Sequence, residues 1–258
     1  MQRDNAVVAV FAVLTLALQG CGGGGGGSGS STTAAAQMPP AEGAYYGTLS
    51  DGRQHYTLVL ENGQLYALYG STSNGIFGVS GFLQGNGSSS NGSYSASDVK
   101  DASASNPVLQ SGSLSATYTA GSSFNGTLSE GSTSVTLTGT GLGAAIYNYS
   151  SPASLAAVSG TWNMTSLRGY PVTMNIAASG TFTATSSGCA FSGTVKPRSS
   201  GKNVLDVALT YGASPCILAG QSLSGIAISY ALPNGQQQLA MTLLDQARVN
   251  SSAFVGIR

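Results

Sequence analysis

The chain offers little for reactive chemistry. Three cysteines, one histidine and nine carboxylates are spread over 258 residues. His55 lies in "RQHYTLVLE", where alternation sets it on one face with Thr57, Val59 and Glu61, opposite Tyr56, Leu58 and Leu60. A lone imidazole on a strand reads as a structural or solvated side chain. No Gly-x-Ser-x-Gly turn occurs, so the nucleophile elbow of the common hydrolases is missing. Metal ions need clustered His, Cys or carboxylate ligands. The nearest approach is Asp98 and Asp101 flanking Lys100 in "SDVKDAS", which reads as a solvated loop. Lys196, Arg198 and Lys202 around Pro197 read as an exposed hairpin, with an anionic contact as the alternative. These residues support no catalytic site, no metal site and no cofactor, and they assign no ligand-binding residue.

Composition narrows the classes further. Charged residues make up 7% of the chain and the formal net charge is zero. A nucleic-acid partner asks for a basic surface, so that class is excluded. Solubility must come from Ser, Thr, Asn and Gly instead, a composition that also suits β-turns.

The remaining chemistry concerns the cysteines, and the first of them depends on its neighbours. Ala6 to Leu18 is an uncharged run of 13 residues behind Arg3 and Asp4. As a helix it reaches roughly 20 Å, short of the ~30 Å hydrocarbon core, so it reads as a signal peptide and not as a span. Leu18-Gln19-Gly20-Cys21 then resembles the lipobox of bacterial lipoproteins, with Gln19 a less usual residue at its position. The resemblance implies cleavage before Cys21 and acylation of its sulfur and new amino group, palmitate included. The partner is then the lipid bilayer, reached through N-terminal acyl chains. Gly22 stands where many such lipoproteins carry an inner-membrane aspartate. The resemblance therefore implies the outer membrane of a Gram-negative bacterium, with the periplasmic and cell-surface faces both open. The alternative is an ordinary secretory peptide with an incidental cysteine. Gly22 to Glu42 contains seven glycines and reads as a flexible tether with an r.m.s. reach of roughly 25 Å. In an exported chain Cys189 and Cys216 form an even pair, and a disulfide is the natural reading. Two free thiols or a redox pair are the alternatives.

Beyond the tether no segment has helical periodicity, and period-two alternation recurs throughout. "PVTMNI" sets Val172, Met174 and Ile176 on one face; "NVLDVALTY" does the same for Leu205, Val207, Leu209 and Tyr211. Asp51-Gly52, Asn62-Gly63, Asn74-Gly75, Asn91-Gly92 and Asn234-Gly235 punctuate these runs as hairpin turns. The halves also repeat. A shift of 117 residues pairs Gly43 with Gly160, Tyr45 with Trp162, Gly52 with Gly169, Val59 with Ile176 and Gly63 with Gly180. After a gap of five, "VSGFLQG" from Val79 lies against "FSGTVKP" from Phe191. About eight strands in each half are enough to close a small barrel.

The expected organisation is therefore a signal peptide over 1–20 and the lipidated Cys21 with its tether over 21–42. A first β-barrel-like domain follows over 43–146, a linker over 147–158, and a second such domain over 159–258. The fold class is all-β, with two antiparallel, mainly up-and-down eight-stranded barrels in tandem. "GTWNMTS" at the head of the second meander resembles the first strand of calycin barrels, the lipocalin and avidin group. The plan of lipobox, Gly-rich tether and barrels is similar to surface lipoproteins of the transferrin-binding and factor H-binding type. Neither resemblance carries over a ligand or a functional residue. The function expected is that of a non-enzymatic envelope lipoprotein binding a macromolecule, such as a protein, or a small hydrophobic ligand. A structural envelope lipoprotein without a specific ligand is the alternative.

Replacing Cys21 with serine is expected to abolish fatty-acid incorporation and to release the protein from membranes. Metabolic labelling with a clickable fatty acid checks this; label retained by Cys21→Ser would overturn the lipobox reading.

Overall fold

The computed structural model describes residues 38–232 and 234–258. Cys21, the signal peptide and most of the tether lie outside the described residues. The first half forms nine strands: β1 (Gly43–Leu49), β2 (Gln54–Val59), β3 (Gln64–Ser73), β4 (Ile76–Asn86), β5 (Ser88–Ser90), β6 (Ser93–Ser103), β7 (Asn106–Thr119), β8 (Ser123–Glu130) and β9 (Thr133–Gly141). β1 pairs with β9 and β4 with β6, so the sheet closes on eight strands, with the three-residue β5 on the flank of β6. A single 3-10 turn, Leu155–Ala157, precedes the second half. There β10 (Gly160–Ser166), β11 (Pro171–Ile176), β12 (Thr181–Ser186), β13 (Cys189–Pro197), β14 (Leu205–Tyr211), β15 (Ser222–Ala231), β16 (Gln237–Asp245) and β17 (Ser251–Ile257) form a closed up-and-down barrel. Every pairing is antiparallel, and closure removes the edges that a small sheet would expose.

Alternation places the cores. In β11, Val172, Met174 and Ile176 are buried while Thr173 and Asn175 face water. Trp162, Met174, Phe182, Phe191 and Leu209 fill the second barrel. Tyr45, Val59, Leu65, Tyr94 and Phe124 fill the first.

The repeat is written into hydrogen bonds. Tyr45 Oη donates to the Ala41 carbonyl at 2.8 Å, and Trp162 Nε1 donates to the Val158 carbonyl at 2.7 Å, each four residues back and 117 apart. The turn closed by Leu49 N–H to Arg53 O recurs as Ser166 N–H to Tyr170 O, with Gly52 and Gly169 at φ +89° and +83°. Gly63 and Gly180 sit at φ +81° and +84°. A Cβ there would lie 2.2 Å from the carbonyl oxygen of Gly87 or of Val195 respectively, so neither position admits a side chain. The closing pair Gly47–Gly139 recurs as Met164–Gly256, again 117 apart.

One expected correspondence is corrected. Phe191 pairs with Ala184, and Leu83 pairs with Ala67, the residue 117 before Ala184. Phe191 therefore matches Leu83, not Val79. The difference lies in the β3–β4 hairpin, which runs to a two-residue Asn74-Gly75 turn and carries a register shift at Tyr69/Gly70. The first barrel's hairpin is longer than the β12–β13 hairpin, and a bulge absorbs the odd residue.

Cys189 at the start of β13 and Cys216 beyond the end of β14 are joined as a disulfide, with Cα atoms 4.5 Å apart. The bond ties the 212–220 loop to the hairpin beside it. Closing a loop with a sequence separation of 27 is worth roughly 3.5 kcal/mol in the chain-entropy account. Cys189→Ser/Cys216→Ser is expected to lower the midpoint of urea unfolding by a corresponding amount without altering the β-sheet circular dichroism. An unchanged midpoint would show that the loop contributes nothing to the second barrel.

Candidate functional site

The interiors are packed, and glycines record how closely. A Cβ on Gly81 would fall 2.1 Å from the Tyr69 ring, and one on Gly193 would fall 2.6 Å from Phe182. Trp162 is fully buried, with the Arg258 guanidinium 4.2 Å from its ring centre. That arginine also donates to the carbonyls of Ala157 and Ser159, which binds the 3-10 turn across one end of the second barrel. Large buried side chains fill both interiors.

A third apolar cluster lies between the barrels. Leu58, Leu68, Phe77 and Phe82 project outward from β2, β3 and β4 and, with Leu60 of the β2–β3 turn, meet Ile226, Ile228, Ala240, Leu244 and Ala253 of the second barrel. Tyrosine dominates its margins. Tyr56 stacks on Tyr230 with ring centres 6.0 Å apart and meets Phe77 edge-on at 4.8 Å. Tyr147 and Tyr149 of the linker are buried in the same cluster. The voids left there are about 20 Å³, room for one water. Among the other tyrosines, Tyr45, Tyr69, Tyr94 and Tyr118 are barrel core. Tyr56, Tyr66, Tyr147 and Tyr149 face the other barrel.

Ion pairs ring this face. Arg198 Nε bonds Glu61 at 2.8 Å, Lys202 meets Glu42 at 2.5 Å, and Arg248 pairs with Asp98 and donates to the Gln84 carbonyl. Arg168 donates to the carbonyls of Ala104 and Asn106 at the β6–β7 tip. The zero net charge therefore conceals a partition. Residues 42–146 carry six acids and two bases, and residues 159–258 carry six bases and two acids, formal charges of −4 and +4. Counting charge by halves would have revealed this from the sequence. The basic residues lie at the β13–β14 hairpin, as expected, with Lys196 exposed, but Arg198 is shared between Glu61 and Asp206 and Lys202 is paired with Glu42. The expected loop around Lys100 is instead the middle of β6. Asp98 turns toward Arg248, whereas Asp101 turns inward to accept from the Tyr69 hydroxyl at 2.6 Å. Burial pushes the Asp101 carboxyl above its ordinary range, and the tyrosine offsets this only in part.

His55 is 1% exposed and points into the first barrel. Its Nε2 lies 3.1 Å from the Thr138 carbonyl, and Nδ1 lies 2.9 Å from Thr57 Oγ1. A carbonyl only accepts, so Nε2 carries the proton and Nδ1 accepts from the threonine hydroxyl. With both nitrogens held inside the core, the imidazole is structural.

The recess best placed for a partner is a cleft of about 400 Å³ on the outside of both barrels. The start of β4, with Phe77 and Val79, forms one wall; Asn163 and Thr165 of β10 and Val255 of β17 form the other. Gln238, 1% exposed, crosses it: Nε2 donates to the Phe77 carbonyl at 3.0 Å and Oε1 accepts from the Tyr230 hydroxyl at 2.6 Å. No charged side chain lines the cleft.

No protein-family description matches this chain, and no curated protein matches it. Among solved structures it is similar to a protein of unknown function from the DUF3598 family of Nostoc punctiforme. The identity is 10%, over 86% of this chain and 96% of that one, with a TM-score of 0.26. A likeness at that score carries no argument about function.

His55 generates a pH prediction. Burial pushes its pKa below the ordinary value of about 6.5. The unfolded chain then binds a proton that the folded chain resists, so stability present above about pH 6.5 is lost as the pH falls below it. Val172 occupies the matching position in the second barrel. His55→Val is expected to cost about 1–2 kcal/mol at pH 8 through the orphaned Thr57 and Thr138 groups, and to flatten the loss between pH 7 and 5. Urea melts of both proteins across that range check it; parallel pH profiles would contradict the assignment.

Proposed function

We propose that this chain is a non-enzymatic envelope protein, anchored by lipid on Cys21 in an outer membrane, that meets a macromolecular partner on the outer surface of its two-barrel body. The packing of both interiors carries this reading. A filled barrel has nothing to carry, so a ligand is met outside, and the charge-free cleft is the recess best formed for it. The tether over 21–42 supports it, since a body on a long flexible segment clears the head groups. The buried Trp162, stacked by Arg258 beside the 3-10 turn, supports the calycin likeness of the second barrel. The combination of lipobox, tether and two barrels supports the likeness to transferrin-binding and factor H-binding surface lipoproteins.

One observation favours the alternative of a structural envelope protein. Thr161, Asn175, Thr183, Ser192, Thr210 and Ser222 stand side by side across six strands, all exposed. Thr48, Thr138, Asn125, Thr117 and Ser93 do the same on the first barrel. Such ranks are satisfied by water and give little to a partner.

Photo-crosslinking in living cells separates the two. A crosslinking amino acid placed at Tyr170 or Ile217, 50% and 90% exposed, or at Asn163 in the cleft, is expected to give a discrete adduct from at least one position. Absence of any adduct, with envelope permeability altered when the gene is deleted, would favour the structural role.

A further inference from the structure

The two barrels differ at one matched place, the end where each first strand begins. In the second barrel the Arg258 guanidinium lies over the Trp162 ring. It donates to the Ala157 carbonyl at 2.8 Å and to the Ser159 carbonyl. The residues 117 earlier are Gly141 for Arg258, Tyr45 for Trp162, and Pro40 and Glu42 for the two acceptors. Gly141 has no side chain to offer. A Cβ there would lie 1.9 Å from the Gly121 carbonyl oxygen, so the first barrel admits no arginine at that position.

The acceptors are nevertheless kept. The Ala41 carbonyl accepts from the Tyr45 hydroxyl at 2.8 Å, as the Val158 carbonyl accepts from Trp162. The Pro39 carbonyl accepts from the Tyr118 hydroxyl at 3.0 Å. Among the described residues no donor reaches the carbonyls of Pro40 and Glu42. Pro40, Glu42 and Gly43 instead line an open recess of about 350 Å³, with Tyr147 and Tyr149 as its aromatic side. In the second barrel the matching Gly160 lies against Arg258, whose Nη1 would be 3.1 Å from a Cβ there. The Glu42 carboxylate adds a charge to the recess. Its Oε1 meets the Lys202 ammonium at 2.5 Å, and the two side chains remain 21% and 26% exposed. Backbone carbonyls, a reachable carboxylate and aromatic rings are the surroundings a guanidinium uses. Residues 42–146 carry a formal charge of −4, which draws cations to this barrel. Residues 21–41 hold no basic side chain, so the tether supplies none.

We propose that this recess binds a guanidinium group from outside the chain, in the place that Arg258 fills in the second barrel. A guanidinium suits it better than an ammonium, because a planar fork serves two carbonyls at once and stacks on a ring. A free alkylguanidine and an arginine side chain of a partner protein share this chemistry, and the test separates them. Lys202 restrains the site, since it shares the Glu42 carboxylate and repels a second cation. This inference goes beyond the outer-surface reading and does not depend on it.

The test uses the full chain in detergent micelles, with ethylguanidinium as probe and backbone amide resonances as readout. Millimolar ethylguanidinium is expected to shift the Gly43 and Tyr149 signals and to leave Gly160 unmoved. Ethylurea, of similar shape but uncharged, is expected to shift neither. Arg258→Ala opens the matched place in the second barrel, so Gly160 is then expected to respond as well. Lys202→Met is expected to tighten binding by up to roughly fivefold, and Glu42→Gln to weaken it by a similar factor. Acetyl-arginine methylamide binding as well as ethylguanidinium would support a protein side chain as the source; its failure to bind beside a bound ethylguanidinium would support a free small molecule. Gly43 unmoved in the unmodified chain, or moved equally by ethylurea, would overturn the site, and neither result needs a protein variant.

Discussion

Closure of each sheet on eight strands is the constraint from which the rest of the molecule follows. A ring of that size encloses only enough space for its own inward side chains. Those side chains are large here, and glycine stands opposite two of the rings, Gly81 under Tyr69 and Gly193 under Phe182. The interior is therefore committed to stability. Any contact with another molecule is displaced to the outside, where a strand presents every second residue.

The outside is divided by polarity. On one side, the outward residues of β2, β3 and β4 are leucines, tyrosines and phenylalanines, and they require cover. The second barrel provides it. The rim of ion pairs adds orientation more than energy, since an exposed pair is worth about 0–1 kcal/mol. What the opposite charges do supply is complementarity, acids on the first barrel meeting bases on the second, which disfavours a rotated docking. The faces turned away from this contact carry ranks of hydroxyls and amides. That arrangement explains how a chain with 7% charged residues stays in water.

The two barrels repeat one plan and differ in informative ways. Tyr45 and Trp162 keep one hydrogen bond with different rings. His55 and Val172 fill the same interior position, one with a polar pair and one without. The longer β3–β4 hairpin is a further departure, and it supplies Phe77 and Val79 to the inter-barrel face. The extra length that breaks the sequence correspondence is thus part of what docks the two units, with Gln238 of the second barrel bonded to the Phe77 carbonyl.

Much of this was legible in the residues alone. Period-two alternation identifies strands because side-chain direction follows from backbone geometry, and Asn-Gly and Asp-Gly mark hairpins because few other pairs accept positive φ. The 117-residue repeat survived at Gly63/Gly180 because a carbonyl oxygen occupies the space a side chain would need. The pairing of Cys189 with Cys216 was read from an even count together with the expectation of export. Other features were invisible for physical reasons. Alternation says that a strand has two faces but not which face meets water, so Leu58 and Leu60 read like any apolar pair until the second barrel was seen against them. Tyrosine is at home in a core, at an interface and on a surface, so composition alone did not place Tyr56 or Tyr149. The ion pairs of Lys202 with Glu42 and of Arg198 with Glu61 were hidden because those acids lie far away in sequence and close only across the docked barrels. The sequence by itself determined the strands, the turns and the duplication, all set by local geometry. Only the tertiary structure decided what each barrel turns toward the other, because that depends on contacts between residues a hundred positions or more apart.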